Sequence, residues 1–205
     1  IEIVTEPDIR HSADAATVLT EVRKIVRFLG ICDGNMEEGS MRCDANVSVR
    51  PMGSTEYGKK VELKNMNSIK QVRQAIDHEV SRQLKLISAG KTIVSETRTF
   101  DPATGASFSM REKEDLNDYR YFPEPDLSPV RVTDEWLEDI KKSMPELPAA
   151  LKKRFMQDLG LSEADAAFLS DSRDVATYYQ ELISFTHNYK AAANWVMGPM
   201  QTLAN

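Results

Sequence analysis

Apolar residues recur along this chain with two different periods, and the changes between them mark out its elements. From Ser12 onward Ala15, Val18, Leu19, Val22, Ile25, Val26 and Leu29 return every three or four positions, the spacing of one helical face. Ser12 suits a helix start and Gly30 a left-handed stop, so the spacing predicts a helix between them. A second stripe, Ile69, Val72, Ile76, Val80, Leu84 and Ile87, predicts another from Ser68 to Gly90. Between the two helices the period falls to two. Met41, Cys43, Ala45, Val47 and Val49 alternate with Arg42, Asp44, Asn46, Ser48 and Arg50, which predicts a strand with one apolar and one polar face.

The same alternation appears in two shorter runs. In Ile1-Glu2-Ile3-Val4 it sends Ile1 and Ile3 inward and Glu2 outward, and in Val61-Glu62-Leu63-Lys64 it sends Val61 and Leu63 inward and Glu62 and Lys64 outward. Pro51 and Gly53 turn the polar-faced strand into a hairpin whose return runs from Lys59 to Lys64. Alternation resumes from Thr92 to Phe100, Asp101-Pro102-Ala103-Thr104-Gly105 makes a turn, and Phe108 to Arg111 comes back as its partner. After Pro145 and Pro148 only Ala-rich helical windows remain, over 149–158, 162–169, 172–187 and 189–203. We therefore expect an α+β domain over 1–143 and an all-helical domain over 144–205.

If the short strands share one sheet, Glu2, Asp44 and Glu62 bring three carboxylates to its open face, with the Asn46 amide and the cations Arg42 and Lys64 beside them. Hard divalent cations take oxygen ligands and keep phosphate company, so this composition suits a nucleotide–metal site. A solvated sheet face with alternating charges has the same pattern. Arg98 and Arg111 fall on the two strands of the second hairpin, and Arg120 lies in the proline-locked aromatic run Asp118-Tyr119-Arg120-Tyr121-Phe122-Pro123. Their guanidinium forks suit phosphate oxygens, and they suit surface ion pairs equally. Tyr119, Tyr121 and Phe122 could stack bases or pack a hinge.

Bulk composition narrows the classes. The chain has 205 residues, 41% hydrophobic residues and a net charge of −6, enough for a core and contrary to a generally basic nucleic-acid coat. Cys32 and Cys43 are too few for a zinc site, His11, His78 and His187 stand beside no recognisable nucleophile, and no glycine-rich phosphate loop occurs. Without a signal peptide or an apolar span of about 20 residues, a cytoplasmic protein with no membrane partner is expected. The opening in a strand-like run without Met, and the stop inside a helical pattern at Asn205, read as a fragment of a longer protein.

Five ordered runs carry a resemblance: Ile1-Glu2-Ile3-Val4-Thr5-Glu6-Pro7-Asp8-Ile9-Arg10, the stretch from Asp33 to Ser48, Val61-Glu62-Leu63-Lys64-Asn65-Met66-Asn67-Ser68, Glu96-Thr97-Arg98, and the stretch from Asp118 to Asp126. The chain resembles the B-subunit family of bacterial and organellar aspartyl/glutamyl-tRNA amidotransferases. Pro145-Glu146-Leu147-Pro148 and Asn194-Trp195-Val196-Met197-Gly198 extend the likeness more thinly. The resemblance implies the C-terminal part of a glutamine synthetase-like cradle, an antiparallel sheet with packed helices, followed by a truncated all-α domain. It implies a ligase that uses ATP and Mg²⁺ to phosphorylate the side-chain carboxyl of Glu or Asp mischarged on tRNA(Gln) or tRNA(Asn). Ammonia from the glutaminase, the family's A-subunit, then displaces the phosphate, in a complex that also holds the C-subunit. Glu2, Asp44 and Glu62 become metal ligands, with Arg42, Asn46, Lys64, Arg98, Arg111 and Arg120 around the nucleotide. The family's N-terminal half-cradle and tRNA-binding tail are not in these residues, so half of the metal shell and no activity in isolation are expected. A generic metal-dependent phosphotransferase and a non-catalytic RNA-binding or assembly module are the competing readings.

Overall fold

The computed structural model of the chain describes residues 1–112 and 125–204, which fall into two compact units. The first takes the residues up to Val22 and from Asn35 through the sheet, and the second takes Arg23–Gly34 and the helices that follow the sheet. Helix α1, Ser12–Phe28, is divided between them and gives Leu19 to the first core and Phe28 to the second.

In the first unit, β1 (Ala45–Val47), β2 (Val61–Lys64), β3 (Glu96–Asp101) and β4 (Ala106–Glu112) form one sheet in that order. β1 and β2 are an antiparallel hairpin, as are β3 and β4, but β2 and β3 run parallel. The sheet is therefore mixed rather than antiparallel throughout. The cause is α2, Ile69–Ser88, a 20-residue helix between β2 and β3. It carries the chain back along the sheet, so β3 enters from the same end as β2. Ser68 caps α2 through its hydroxyl, which accepts from the Gln71 amide at 3.2 Å, and Gly90 follows its end at φ +68°. Both ends lie where the sequence places them.

Val47, Val61, Leu63 and Phe100 from the strands pack against Val72 and Ala75 of α2, with Met36 and Met66 closing the core. Of the strand expected over 41–49 only Ala45–Val47 forms; the apolar face is kept as far as Val47, since Met41, Cys43, Ala45 and Val47 are all more buried than Arg42, Asp44 and Asn46, whereas Ser48, Val49 and Arg50 are all partly buried. Between β1 and β2 the loop folds tightly back at Gly58, where a Cβ would stand 2.1 Å from the Val49 carbonyl oxygen. Only glycine fits there without moving the backbone.

The strand expected at Ile1–Val4 does not form. Residues 1–5 carry neither helix nor strand, and Ile1, Ile3 and Val4 are exposed. Alternation alone cannot make a strand, because its amides and carbonyls need a partner edge.

The second unit is helical. It holds α3 (Asp134–Ser143), α4 (Pro148–Gln157), α5 (Glu163–Leu169), α6 (Arg173–Ile183), α7 (Tyr189–Trp195), a π-helical turn over Val196–Met200 that contains Pro199, and α8 (Gln201–Ala204). Leu151, Phe155, Leu169 and Tyr179 are its largest buried side chains, and Phe155 meets Tyr179 edge-on at 5.1 Å. Burial, and the neighbouring Tyr189 and Asp165, push the Tyr179 phenol up to about 12, and its hydroxyl donates to the Tyr189 carbonyl at 3.1 Å. Ser162, Ser172 and Asn188 cap α5, α6 and α7. Helix α3 was not anticipated from periodicity, although Thr133, which accepts from the Trp136 amide, and Asp134, Glu135, Lys141 and Lys142 supply a cap and charges matched to both helix ends.

Candidate functional site

Residues paired across strands share a face of the sheet. Asn46 pairs with Glu62, Glu62 with Thr97, Lys64 with Thr99, and Thr97 with Arg111, so this row lies opposite the face that α2 covers. Asp44, immediately before β1, joins it. Lys64 draws the two carboxylates together: its Nζ is 2.6 Å from Asp44 Oδ2 and 3.6 Å from Glu62 Oε1. Glu62 also accepts from the Thr97 hydroxyl at 2.9 Å. At the end of β2, Asn65 takes a left-handed conformation, φ +64°, and donates to the Thr99 hydroxyl at 2.8 Å. Asn tolerates that conformation better than other non-glycine residues. Asn65 was missed as a separate feature of the site; the Asn following a strand was its signal.

The cluster is graded in exposure. The Glu62 side chain is 15% exposed, Lys64 33% and Asp44 46%. Hydrogen bonding to Asp44 is the main cause that holds the Lys64 ammonium above its ordinary value, against desolvation and with help from the charges of Asp44 and Glu62.

The other expected ligands are placed differently. Glu2 is exposed in the segment without strand pairing, so no ladder brings it to Asp44 and Glu62. Asn46 is exposed on the polar side of β1, and Arg42, also exposed, lies three residues before that strand. Arg111 is set by register opposite Thr97, but its side chain, like the whole of Arg120 and of the aromatic residues Tyr119, Tyr121 and Phe122, lies outside the described residues. Arg98 pairs with Leu63 and therefore belongs to the face that α2 covers. Its Nε donates to the Ser107 hydroxyl at 2.8 Å, its Nη2 to the Ser107 carbonyl at 2.6 Å, and its Nη1 to Glu96 Oε1 at 2.7 Å.

That inner face holds a second charged cluster. Glu79 of α2 is 0% exposed and accepts from Arg82 at 2.8 and 2.9 Å and from Gln83 at 2.7 Å. Gln83, equally buried, donates to the Val47 carbonyl at 3.0 Å and accepts from the Val49 amide at 3.2 Å. Arg82 also reaches Glu96 at 3.4 Å. Desolvation acts to raise the Glu96 carboxyl, but hydrogen bonds from Ser109 and Arg98 and the charges of Arg98 and Arg82 outweigh it and hold the group below its ordinary value. Two carboxylates here meet two guanidiniums.

Asp44 and Glu62 offer hard oxygen donors that already converge on one cation, the Lys64 ammonium, and so fit part of a Mg²⁺ shell. Among the described residues no group of three or more His, Cys, Asp or Glu side chains gathers closely enough to complete one. No helix among the described residues is long and apolar enough to cross a membrane.

The family model of the GatB/GatE catalytic domain matches residues 1–138. The B-subunit of the aspartyl/glutamyl-tRNA(Asn/Gln) amidotransferase of Geobacter sulfurreducens is 52% identical over 205 residues, which cover all of this chain and 43% of that protein. The proteins of the same name from Syntrophotalea carbinolica and Thermodesulfovibrio yellowstonii are 51% and 49% identical over the same span. The chain thus spans less than half the length of these relatives.

Proposed function

The chain belongs to the GatB/GatE catalytic-domain family, and from that membership we propose that it supplies part of the carboxyl-activating site of a tRNA-dependent amidotransferase. The substrate is Glu on tRNA(Gln) or Asp on tRNA(Asn), and the partners are the glutaminase A-subunit and the C-subunit of that complex. A side-chain carboxylate is a poor acyl acceptor for ammonia. Activation has its oxygen attack the γ-phosphorus of ATP, so that ADP leaves and an acyl phosphate forms. Ammonia released from glutamine by the glutaminase then attacks the acyl carbon, and phosphate departs with the C–O bond electrons.

The observation that carries this reading is the convergence of Asp44 and Glu62, from β1's approach and from β2, on a single cation at 2.6 and 3.6 Å. When bound there, Mg²⁺ supplies charge neutralisation for the phosphates. The two carboxylates would hold it, Thr97 orients Glu62 through its hydroxyl, and Asn46 and Arg42 would meet the nucleotide from the same side. Glu2 enters as a third ligand on the resemblance alone, and Arg111 and Arg120 as phosphate contacts on theirs. Arg98 is committed to Ser107 and Glu96, so it serves by bracing β3, which keeps Thr97 against Glu62. The rest of the metal shell comes from parts of the full-length protein beyond these residues.

The test is Asp44→Asn in the full-length protein assembled with its partner subunits. Loss of one anionic ligand without a change of shape should lower ATP-dependent amidation of the mischarged tRNA by about 100-fold while the complex still assembles. Unchanged amidation at saturating ATP would refute the site.

A further inference from the structure

Helix α3 has an apolar stripe and no core beneath it. None of its 10 residues is buried, and Trp136, Leu137 and Ile140, with Met144 just past its end, are each between 42% and 49% exposed. We infer that this stripe is an internal docking face, covered in the full-length protein by a part of the same polypeptide that lies outside these 205 residues.

The helix itself calls for a cover. Trp136, Leu137 and Ile140 fall within an arc of about 100° around its axis, and Met144 extends the line. So short a helix is marginal in water, because the packing of an apolar face supplies most of helical stability. The Thr133 cap and the pairs of Lys141 with Glu138 at 2.7 Å and of Lys142 with Asp139 at 3.8 Å add too little to hold it alone. Charge, size and sequence then choose the occupant. Both lysines are already neutralised within the helix, so the stripe offers an apolar contact rather than an electrostatically steered one. Contact of that kind belongs to permanent, core-like packing. Four half-exposed side chains also fall far short of the roughly 800 Å² per partner that two separately folded proteins bury. A tethered segment needs less, since the chain holds it at high effective concentration. The family model of the catalytic domain runs to Glu138 and takes in Trp136 and Leu137, which places half of the stripe inside that domain's own sequence pattern. In the relatives more than half of the polypeptide lies outside the matched span, ample for the cover. The stripe needs that cover whether or not Asp44 and Glu62 hold a metal.

The test uses the full-length protein, alone and with its partner subunits. Alone, the α3 amides should exchange with deuterium about 100-fold more slowly than in an open chain, at a rate independent of protein concentration. Adding the partners should change that rate by less than about three-fold. Ile140→p-benzoylphenylalanine, illuminated in the same samples, should crosslink within a product of monomer mass to a peptide outside residues 1–205. Glu138→p-benzoylphenylalanine, on the far side of the helix, should not crosslink there. Exchange of the wild type near the open-chain rate, or protection that appears only with the partner subunits or only at high concentration, would overturn the docking face. So would a crosslink from position 140 to a partner subunit, to a second copy or to residues 1–205, or equal crosslinking from both positions. Neither readout depends on amidation, so the docking face and the proposed chemistry stand or fall separately.

Discussion

The two faces of the small sheet both carry carboxylates and cations, yet they differ in burial. On the face covered by α2, Glu79 and Glu96 meet Arg82 and Arg98 one for one, and the Glu79 side chain is fully enclosed. On the opposite face Asp44 and Glu62 share one ammonium and Asp44 is nearly half exposed. A closed, neutral, fully hydrogen-bonded set holds a fold in register and has nothing left for a ligand. A set whose outer member is nearly half exposed leaves carboxylate oxygens within reach of solvent and of a ligand. On the proposed function, one side of β3 serves structure and the other chemistry, with Thr97 and Arg98 as adjacent residues on each.

The largest effect should come from the closed face. Glu79→Ala leaves two partly buried guanidiniums without their shared carboxylate and deprives Gln83 of a partner. It should destabilise the protein by about 3–5 kcal/mol, read from the denaturant midpoint. A loss below about 1 kcal/mol would mean that the inner cluster is as expendable as a surface pair. Gly58→Ala should follow, costing about 1–3 kcal/mol as the β1–β2 loop shifts to clear the Val49 carbonyl. It should weaken metal binding too, because that hairpin sets Asp44 against Glu62.

Acid and alkali should separate the faces. The folded Glu96 carboxyl lies below its ordinary 4.5, so its contribution to stability is present above that pH and is lost as pH falls through the lower folded value. Glu96→Gln should flatten the acid limb of the stability profile. The folded Lys64 ammonium lies above its ordinary 10.5, so its contribution is present below that pH and disappears only as pH rises beyond it. Lys64→Met should flatten the alkaline limb and leave the acid limb unchanged. The smallest effect on stability belongs to Asp44→Asn, within about 1 kcal/mol as for any half-exposed pair, despite its expected effect on activity.

Much of this contrast was legible in the residues, and the parts that were not have physical reasons. Parity along 41–49 and 61–64 found the Asp44, Asn46, Glu62 and Lys64 row, because burial of one strand face leaves no freedom in where the other points. Ser68 and the glycines at 30 and 90 marked helix limits through local capping chemistry, which needs no tertiary information. The buried line of α2 was legible only in its first half. Of the expected stripe Val72 is buried and Ile69, Ile76 and Val80 pack against the core, but Leu84 and Ile87 are about half exposed, and the buried line is completed by Ala75, Glu79 and Gln83. Charged and amide groups enter a core only when partners await them, and those partners, Arg82, Arg98 and the Val47 carbonyl, come mostly from distant strands. Arg98 could have been assigned correctly, since it shares parity with Phe100, a core residue. The parallel pairing of β2 and β3, by contrast, depends on how α2 crosses the sheet, and the failure of Ile1–Val4 to form a strand depends on a partner edge. Neither is written in local alternation.

The most direct measurement is anomalous diffraction from Mn²⁺ in crystals of the full-length protein grown with a non-hydrolysable ATP analogue. The account predicts a manganese peak bonded to carboxylate oxygens of both Asp44 and Glu62, with Glu79, Arg82, Glu96 and Arg98 unmoved on the other face. Manganese bound beside the nucleotide but away from both Asp44 and Glu62 would contradict it.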